Sequence, residues 1–407
     1  YYCFMKKRLN FIDLFSGCGG LSEGFLQSGH YNALAHVEWE LPMVNTLRNR
    51  LVKKWLLNKE ESPKHVIHFD IQKTSELING DWSNNSKEQF PNNHQSIIHK
   101  GLKGLVENEK VDIIIGGPPC QAYSIAGRAQ DKNGMKNDYR NFLFESFSEI
   151  VSEFQPDIFV FENVPGILSS KPGGVRVTDR IYQKFKKIGY QIYKGNELKK
   201  AELVSSDFGV PQKRKRIIII GIKNKSKLDL DKIYKSINNQ KCTNKTVKDA
   251  LFSLPKFYPI DNPTKKISHI GSSNIPSHTP RYHNTRDINI FRKWIKNDMN
   301  SKSLNDKIDF YNKMFGKKSK HAKYRNLEWD KPSPTIVAHL NKDGLMFIHP
   351  DEKQARSITI REAAILQSFP LDYEFIGGQG YCYKMIGNAV PVLMAKGIAK
   401  GIYDVIK

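Results

Sequence analysis

Acidic residues are the scarce class in this chain of 407 residues: 41 Asp and Glu stand against 64 Lys and Arg, a formal net charge of +23. With a pI near 9.6, that imbalance points to a polyanionic partner such as nucleic acid. Cysteine is sparse too. The five present (Cys3, Cys18, Cys120, Cys242 and Cys382) are scattered, odd in number and form no close CxxC pair, which argues against a disulfide framework or a zinc site and for a reducing compartment. No apolar run reaches membrane-spanning length, and the first residues lack the apolar segment of a signal peptide, so a cytoplasmic protein without a membrane partner is expected. No internal repeat is present, which removes solenoids and propellers. The length allows two or three domains with a substantial core.

What is present is organised around Gly116-Gly117-Pro118-Pro119-Cys120-Gln121. The apolar run over 111–115 has the length and β-branched content of a buried parallel strand. It delivers a thiol to a strand's carboxyl end, where open α/β sheets place their ligands. Taken alone, Cys120 is more often a small buried hydrophobe than a nucleophile. Upstream, a strand over 9–15 leads into Ser16-Gly17-Cys18-Gly19-Gly20 and a helix over 21–27, the strand, glycine turn and helix that can cradle a nucleotide. The third glycine of the dinucleotide fingerprint is replaced by Ser22, which weakens a nicotinamide dehydrogenase reading.

A second strand over 31–37 ends in Glu38-Trp39, with Glu38 21 residues beyond Gly17, near the spacing at which an acid reaches ribose hydroxyls. The indole of Trp39 offers a plate for adenine, and a third strand over 65–69 brings Asp70-Ile71 to its tip. The interval 72–110 is polar and reads as an irregular surface insertion. The segment 124–139, beginning at Ser124, reads as a loop able to close over a site. A helix over 141–154 follows, and a strand over 157–161 delivers Glu162-Asn163-Val164; a glutamate beside a reactive thiol can serve as an acid. Arg214 and Arg216 precede a strand over 217–222, and in an extended segment both would point to one face, where they suit a phosphate or a base carbonyl.

These pieces resemble the DNA cytosine-5 methyltransferases, in the family's order: Asp13 to Gly20, Pro119-Cys120-Gln121, Glu162-Asn163-Val164, Gln212-Lys213-Arg214-Lys215-Arg216, Arg361 to Pro370, and Gly387-Asn388-Ala389-Val390-Pro391. The resemblance implies a doubly wound, mostly parallel α/β sheet, Rossmann-like, with a second, smaller recognition domain. It implies Cys120 as the nucleophile on carbon 6 of a flipped-out cytosine, Glu162 at ring nitrogen 3 and the amino group, Arg216 at the ring carbonyl, and Arg214 nearby for charge or phosphate. It implies S-adenosylmethionine as methyl donor, no metal, and a cofactor pocket from Phe15, Gly17, Cys18, Gly20, Glu38, Trp39, Asp70, Ile71, Gly117, Pro119 and Leu143, completed by Asn388 and Val390. A helix after Pro391, with Met394, Ile398, Ile402 and Ile406 on one face, should pack against the first strand–helix unit.

The catalytic domain is expected over 1–222 plus 383–407, with the recognition domain over 223–382. The interval 222–330 carries 24 Lys and Arg against 10 Asp and Glu, a net of +14. Its aromatics Tyr258, Tyr282, Phe291, Trp294 and Tyr324 are interleaved with that charge, and Arg281, Arg286 and Arg325 are the candidates for guanine contacts. The expected partner is double-stranded DNA, bound by a monomer in the bacterial nucleoid, with a cognate restriction endonuclease acting on the same site. An RNA cytosine-5 methyltransferase and a non-catalytic sequence-specific DNA-binding protein are the alternatives.

Overall fold

The computed structural model describes residues 8–119, 143–264, 266–316, 318–342 and 344–407. Cys120, Gln121, the expected loop 124–139 and the first two residues of the expected helix over 141–154 lie outside these. The chain divides into two compact units: Tyr1–Phe208, Lys215–Cys242 and Val390–Lys407 form the first, and Gly209–Arg214 with Thr243–Ala389 the second.

The first unit is built on an eight-stranded sheet. Its strands are β1 (Leu9–Leu14), β2 (Tyr31–Glu38), β3 (Val66–His68), β4 (Ile113–Gly116), β5 (Ile158–Asn163), β6 (Tyr190–Gln191), β7 (Glu202–Val204) and β9 (Lys215–Lys223), while β8 (Gln212–Lys213) belongs to the second unit. The order is β3-β2-β1-β4-β5-β9-β6, with β7 also on β9. The first five strands run parallel and β9 runs antiparallel to β5. This is the doubly wound, mostly parallel α/β class. The strands are continuous apolar runs because both faces are covered: Ile113, Ile114, Ile115, Ile158, Phe159 and Val160 are all fully buried. Chain order reverses between β1 and β4, which opens a crevice at the strands' carboxyl ends.

Helix α1 (Gly20–Gln27) starts from Gly19, a left-handed residue with φ 83°, and α2 (Leu41–Trp55) follows β2 with Pro42 in its first turn. The helix Val392–Ile406 buries Met394, Ile398 and Ile402, as their spacing predicts, and packs on the first strand–helix unit, where Tyr31 donates its hydroxyl to the Ala399 carbonyl at 2.7 Å. The two helices nearly touch backbone to backbone: a Cβ on Gly24 would lie 2.4 Å from Ala395 Cβ and 2.6 Å from both Lys396 N and Val392 O. No rotamer can relieve two backbone contacts. Gly24→Ala is therefore expected to destabilise the protein by about 3 kcal/mol, the upper end of over-packing costs. Urea denaturation checks it, and an unmoved midpoint would mean the helices can part cheaply.

Two expectations are corrected here. The interval 72–110 is not irregular: it forms helices Thr74–Asn79, Asn84–Gln89 and Gln95–Leu105. Leu77, Trp82, Phe90, Ile97 and Leu102 are buried, and Trp82 stacks on Phe69 at 4.0 Å. Thr74–Asn79 and Asn84–Gln89 are too short to display a periodic stripe, and in Gln95–Leu105 the stripe is interrupted by Gly101, whose backbone is not helical. The second correction concerns the helix Leu230–Asn239, placed in the recognition domain by position. It lies in the first unit against the helix Val392–Ile406, where a Cβ on Gly401 would meet Ile237 backbone at 2.5 Å.

The second unit has its own small core of Ile288, Phe291, Trp294, Met299, Tyr324 and Ile348. Phe291 and Trp294 are 0% exposed and Tyr324 2%, so these three aromatics hold this core together and are not offered to a ligand. Among the described residues, no helix is long and apolar enough to cross a membrane.

Candidate active site

The turn after β1 is conformationally demanding. Phe15, a non-glycine residue, sits at φ 58°, Gly17 at φ 56° and Gly19 at φ 83°, the left-handed region that glycine enters without steric cost. The turn is pinned to the tip of β2 by one carboxylate. Glu38 Oε2 accepts from Gly17 N at 2.8 Å, and Oε1 accepts from Trp39 N and Glu40 N, each at 2.8 Å. Burial pushes the Glu38 carboxyl up, while the three N–H donors pull it down. With two donors on Oε1, the spare acceptor capacity lies on Oε2, which narrows the expected pair of sugar hydroxyls towards one.

Beside Glu38 the Trp39 indole is 50% exposed, an apolar plate left open to solvent. A Cβ on Gly17 would meet nothing nearer than Met43 Sδ at 4.0 Å, so there is room against the turn. Cys18 and Ile71 are buried, at 1% and 5% exposure, and Gly20 begins α1. Asp70 follows β3 and is half-buried, with Oδ1 accepting from Gln72 N at 3.0 Å. A fixed carboxylate, an exposed indole and an open glycine turn can together accept an aromatic base and its sugar.

At the tip of β4, Gly117 is half-buried and Pro119 exposed. A Cβ on Gly117 would lie 2.7 Å from Glu162 Oε2, so the glycine lets the carboxylate of β5 rest against the strand that leads to Cys120. Glu162 Oε1 in turn lies 2.6 Å from Arg216 Nε, with both side chains nearly buried. This contact is an ion pair without hydrogen-bond alignment, because Arg216 Nε has no hydrogen-bond partner. Arg216 Nη1 donates to the Lys215 carbonyl at 2.7 Å. Asn163 Nδ2 donates to the Pro118 carbonyl at 3.3 Å, which ties the end of β5 to the Pro-Pro step. The sequence thus places Glu162, Arg216 and Gly117 in separate motifs, and the fold brings them together. Leu143 is buried at the start of the helix Leu143–Phe154.

Asp13 was missed. It sits in β1 inside an apolar run, 1% exposed, accepts from the Ser22 hydroxyl through Oδ2, and leaves Oδ1 without a partner. Burial pushes its carboxyl up to about 8, partly opposed by the Ser22 hydrogen bond. The signal was available as an acid flanked by Ile12 and Leu14 in a strand buried on both faces.

In the second unit, Gln212, Arg214 and the late motifs close a buried knot. Gln212 Nε2 donates to the Leu366 carbonyl and to Gln367 Oε1, and its Oε1 accepts from Ile336 N. Arg214, 2% exposed, donates to the carbonyls of Ile336 at 2.7 Å and Gly387 at 3.0 Å. Two of its guanidinium nitrogens are thereby held by main-chain carbonyls. Arg361 donates to the carbonyls of Pro276, Pro370 and Tyr373. Of the candidate guanine readers, Arg281 donates to the Leu340 carbonyl and Arg325 to that of Met346, while Arg286 is exposed over the Phe315 ring at 4.0 Å and pairs with Asp287 Oδ1 at 3.2 Å. Asn388 is exposed in the second unit, and Val390 is buried in the first.

Comparison with known proteins gives a consistent result. A family model described as C-5 cytosine-specific DNA methylase matches residues 69–404. The type II methyltransferase M.Bpa9945I of Bacillus paralicheniformis is 33% identical over 452 aligned positions, covering 97% of this chain and 98% of the relative. The type II methyltransferase M1.HphI of Haemophilus parahaemolyticus is 30% identical, covering 98% and 87%. Among solved structures, a prophage-encoded E. coli protein described as a DNA modification methyltransferase superposes with a TM-score of 0.63 at 26% identity, covering 98% of this chain and 99% of that one.

Proposed function

The chain belongs to the C-5 cytosine-specific DNA methylase family, and from that premise we propose that it methylates carbon 5 of a cytosine flipped out of one short sequence in double-stranded DNA. The observation that carries the reading is the Glu162–Arg216 ion pair resting on Gly117, three residues before the proposed nucleophile. Cys120 adds through Sγ to carbon 6, which makes carbon 5 enamine-like and nucleophilic. Glu162 assists at ring nitrogen 3 and the amino group by protonation or hydrogen bonding, and Arg216 holds the ring carbonyl oxygen. Once carbon 5 carries the methyl group, loss of its proton to water and departure of the Cys120 thiolate restore the aromatic ring.

The open turn at Gly17 and the exposed indole beside Glu38 fit an adenosyl group. Phe15, Gly17, Cys18, Gly20, Glu38, Trp39, Asp70, Ile71, Gly117, Pro119, Leu143 and Val390 are the residues we assign to hold S-adenosylmethionine. When bound, that cofactor supplies the electrophilic methyl group. The basic recognition region supplies phosphate contacts, with Arg286 the candidate among the three arginines for reaching a base. Both relatives named above are type II methyltransferases, which supports a bacterial restriction-modification system with a partner endonuclease; the enzyme itself acts as a monomer.

The test uses duplex DNA carrying 5-fluorocytosine, which cannot lose its carbon 5 substituent. With donor present, the wild-type protein should form a stable adduct at residue 120 by mass spectrometry, and Cys120→Ser none. Absence of the wild-type adduct on DNA that the protein methylates in its ordinary form would reject the mechanism.

A further inference from the structure

β3 is the outer strand of the sheet, so the main-chain N–H and C=O of His68 face away from β2 and need partners. One side chain supplies both. Asn93 Oδ1 accepts from His68 N at 2.9 Å, and Asn93 Nδ2 donates to His68 O at 2.9 Å and to Phe90 O at 3.0 Å. The amide takes the place of a next strand. It comes from the turn between two helices of the interval 72–110.

The His68 imidazole passes this anchoring on. Its Nε2 lies 2.9 Å from the Trp39 carbonyl; a carbonyl only accepts, so Nε2 carries the proton and Nδ1 is the bare nitrogen. Nδ1 is buried without a partner, and the Phe90 ring meets the imidazole edge-on at 5.1 Å. Desolvation lowers the affinity of this ring for a second proton, which keeps the single-donor tautomer. Trp39 is therefore held at both ends of its backbone, with N–H on Glu38 Oε1 and C=O on His68 Nε2, while its indole stays exposed.

We infer that His68 is a positioning residue for the methyl donor, fixing the Trp39 indole as the adenine platform, and that the helical insert 74–105 serves the donor pocket by anchoring His68 through Asn93. The inference rests on the assignment of Trp39 to the cofactor site and adds a task for a segment without family motifs.

The test measures binding of S-adenosylhomocysteine and of unmodified duplex DNA to the full chain by calorimetry, with donor KM and kcat alongside. His68→Leu leaves the Trp39 carbonyl without its donor, and loss of this partly buried hydrogen bond is expected to weaken S-adenosylhomocysteine and raise donor KM about tenfold. The kcat at saturating donor should change less than about twofold, and duplex affinity should stay put. His68→Gln, whose amide can reach the same carbonyl, should restore most of the loss. Trp39→Ala is the control for the underlying assignment. If it weakens S-adenosylhomocysteine while His68→Leu does not, the inference is wrong and the pocket assignment stands; if Trp39→Ala has no effect, the pocket assignment itself falls. Equal losses for S-adenosylhomocysteine and DNA in His68→Leu would also overturn the inference, since they would report general damage.

Discussion

Gly117→Ala is expected to cost roughly 100-fold or more in kcat while lowering the denaturation midpoint less than a change that strikes the backbone of the sheet. The added Cβ would lie 2.7 Å from Glu162 Oε2, and its next contacts, with Glu162 Cβ and Cδ, would be at an ordinary 3.8 Å. A carboxylate tip can swing aside without moving the backbone, and the cost in stability is that of its nearly buried ion pair. Swinging it breaks the 2.6 Å approach to Arg216 and moves the group proposed to assist at the cytosine ring; displacements of about 1 Å at reacting groups cost on the order of 100-fold. Gly116→Ala provides the contrast, because its Cβ would meet the Leu14 carbonyl at 2.3 Å and the Phe147 ring at 3.1 Å. That change strikes the sheet itself and should lower the midpoint. Single-turnover transfer on both variants, with urea denaturation, separates the two; a Gly117→Ala rate within about threefold of wild type would show that the Glu162 position is not needed.

The second large effect is a gain. Asp13→Asn should stabilise the protein at pH 7 by on the order of 4 kcal/mol, at about 1.4 kcal/mol per pH unit between the unfolded and working values. In the folded protein, burial holds the acid protonated up to about pH 8 from an ordinary value of 3.8. The unfolded chain ionises it near the ordinary value, so between those limits the unfolded state binds fewer protons. Its contribution to stability is fully present below pH 3.8 and is lost as pH rises towards 8. Asparagine has the same shape and no proton to lose. The advantage of the variant should therefore grow from near zero at pH 4 and level off above pH 8, read as the difference between two denaturation series. A pH-independent difference would mean that Asp13 is ionised in the fold.

Much of the architecture was legible from the chain because its signals are local. Runs such as Ile113-Ile114-Ile115 have the length and β-branched content of strands buried on both faces, and Gly17 and Gly19 mark a turn that needs positive φ. The six ordered motifs carried the family. Where the reading failed, the residue's fate depended on something far along the chain. Trp82 and Phe90 look like stray apolar residues until Phe69 and Ile98 are seen beside them. Phe291, Trp294 and Tyr324 look like a nucleic-acid surface until they close on one another.

The chain by itself determined the class of sheet, the crevice at its carboxyl ends, the family, and the residues proposed for chemistry, since each follows from neighbours a few positions apart or from a motif kept in order. Only the tertiary structure decided what those residues are committed to. Arg214 and Arg216 are two positions apart, yet one donates to a carbonyl 173 residues away and the other pairs with Glu162. The reason is that burial and hydrogen-bond pairing are settled by which groups meet after folding. A sequence pattern records a side chain's chemistry and its backbone setting, and does not record the partner that will use up its donors.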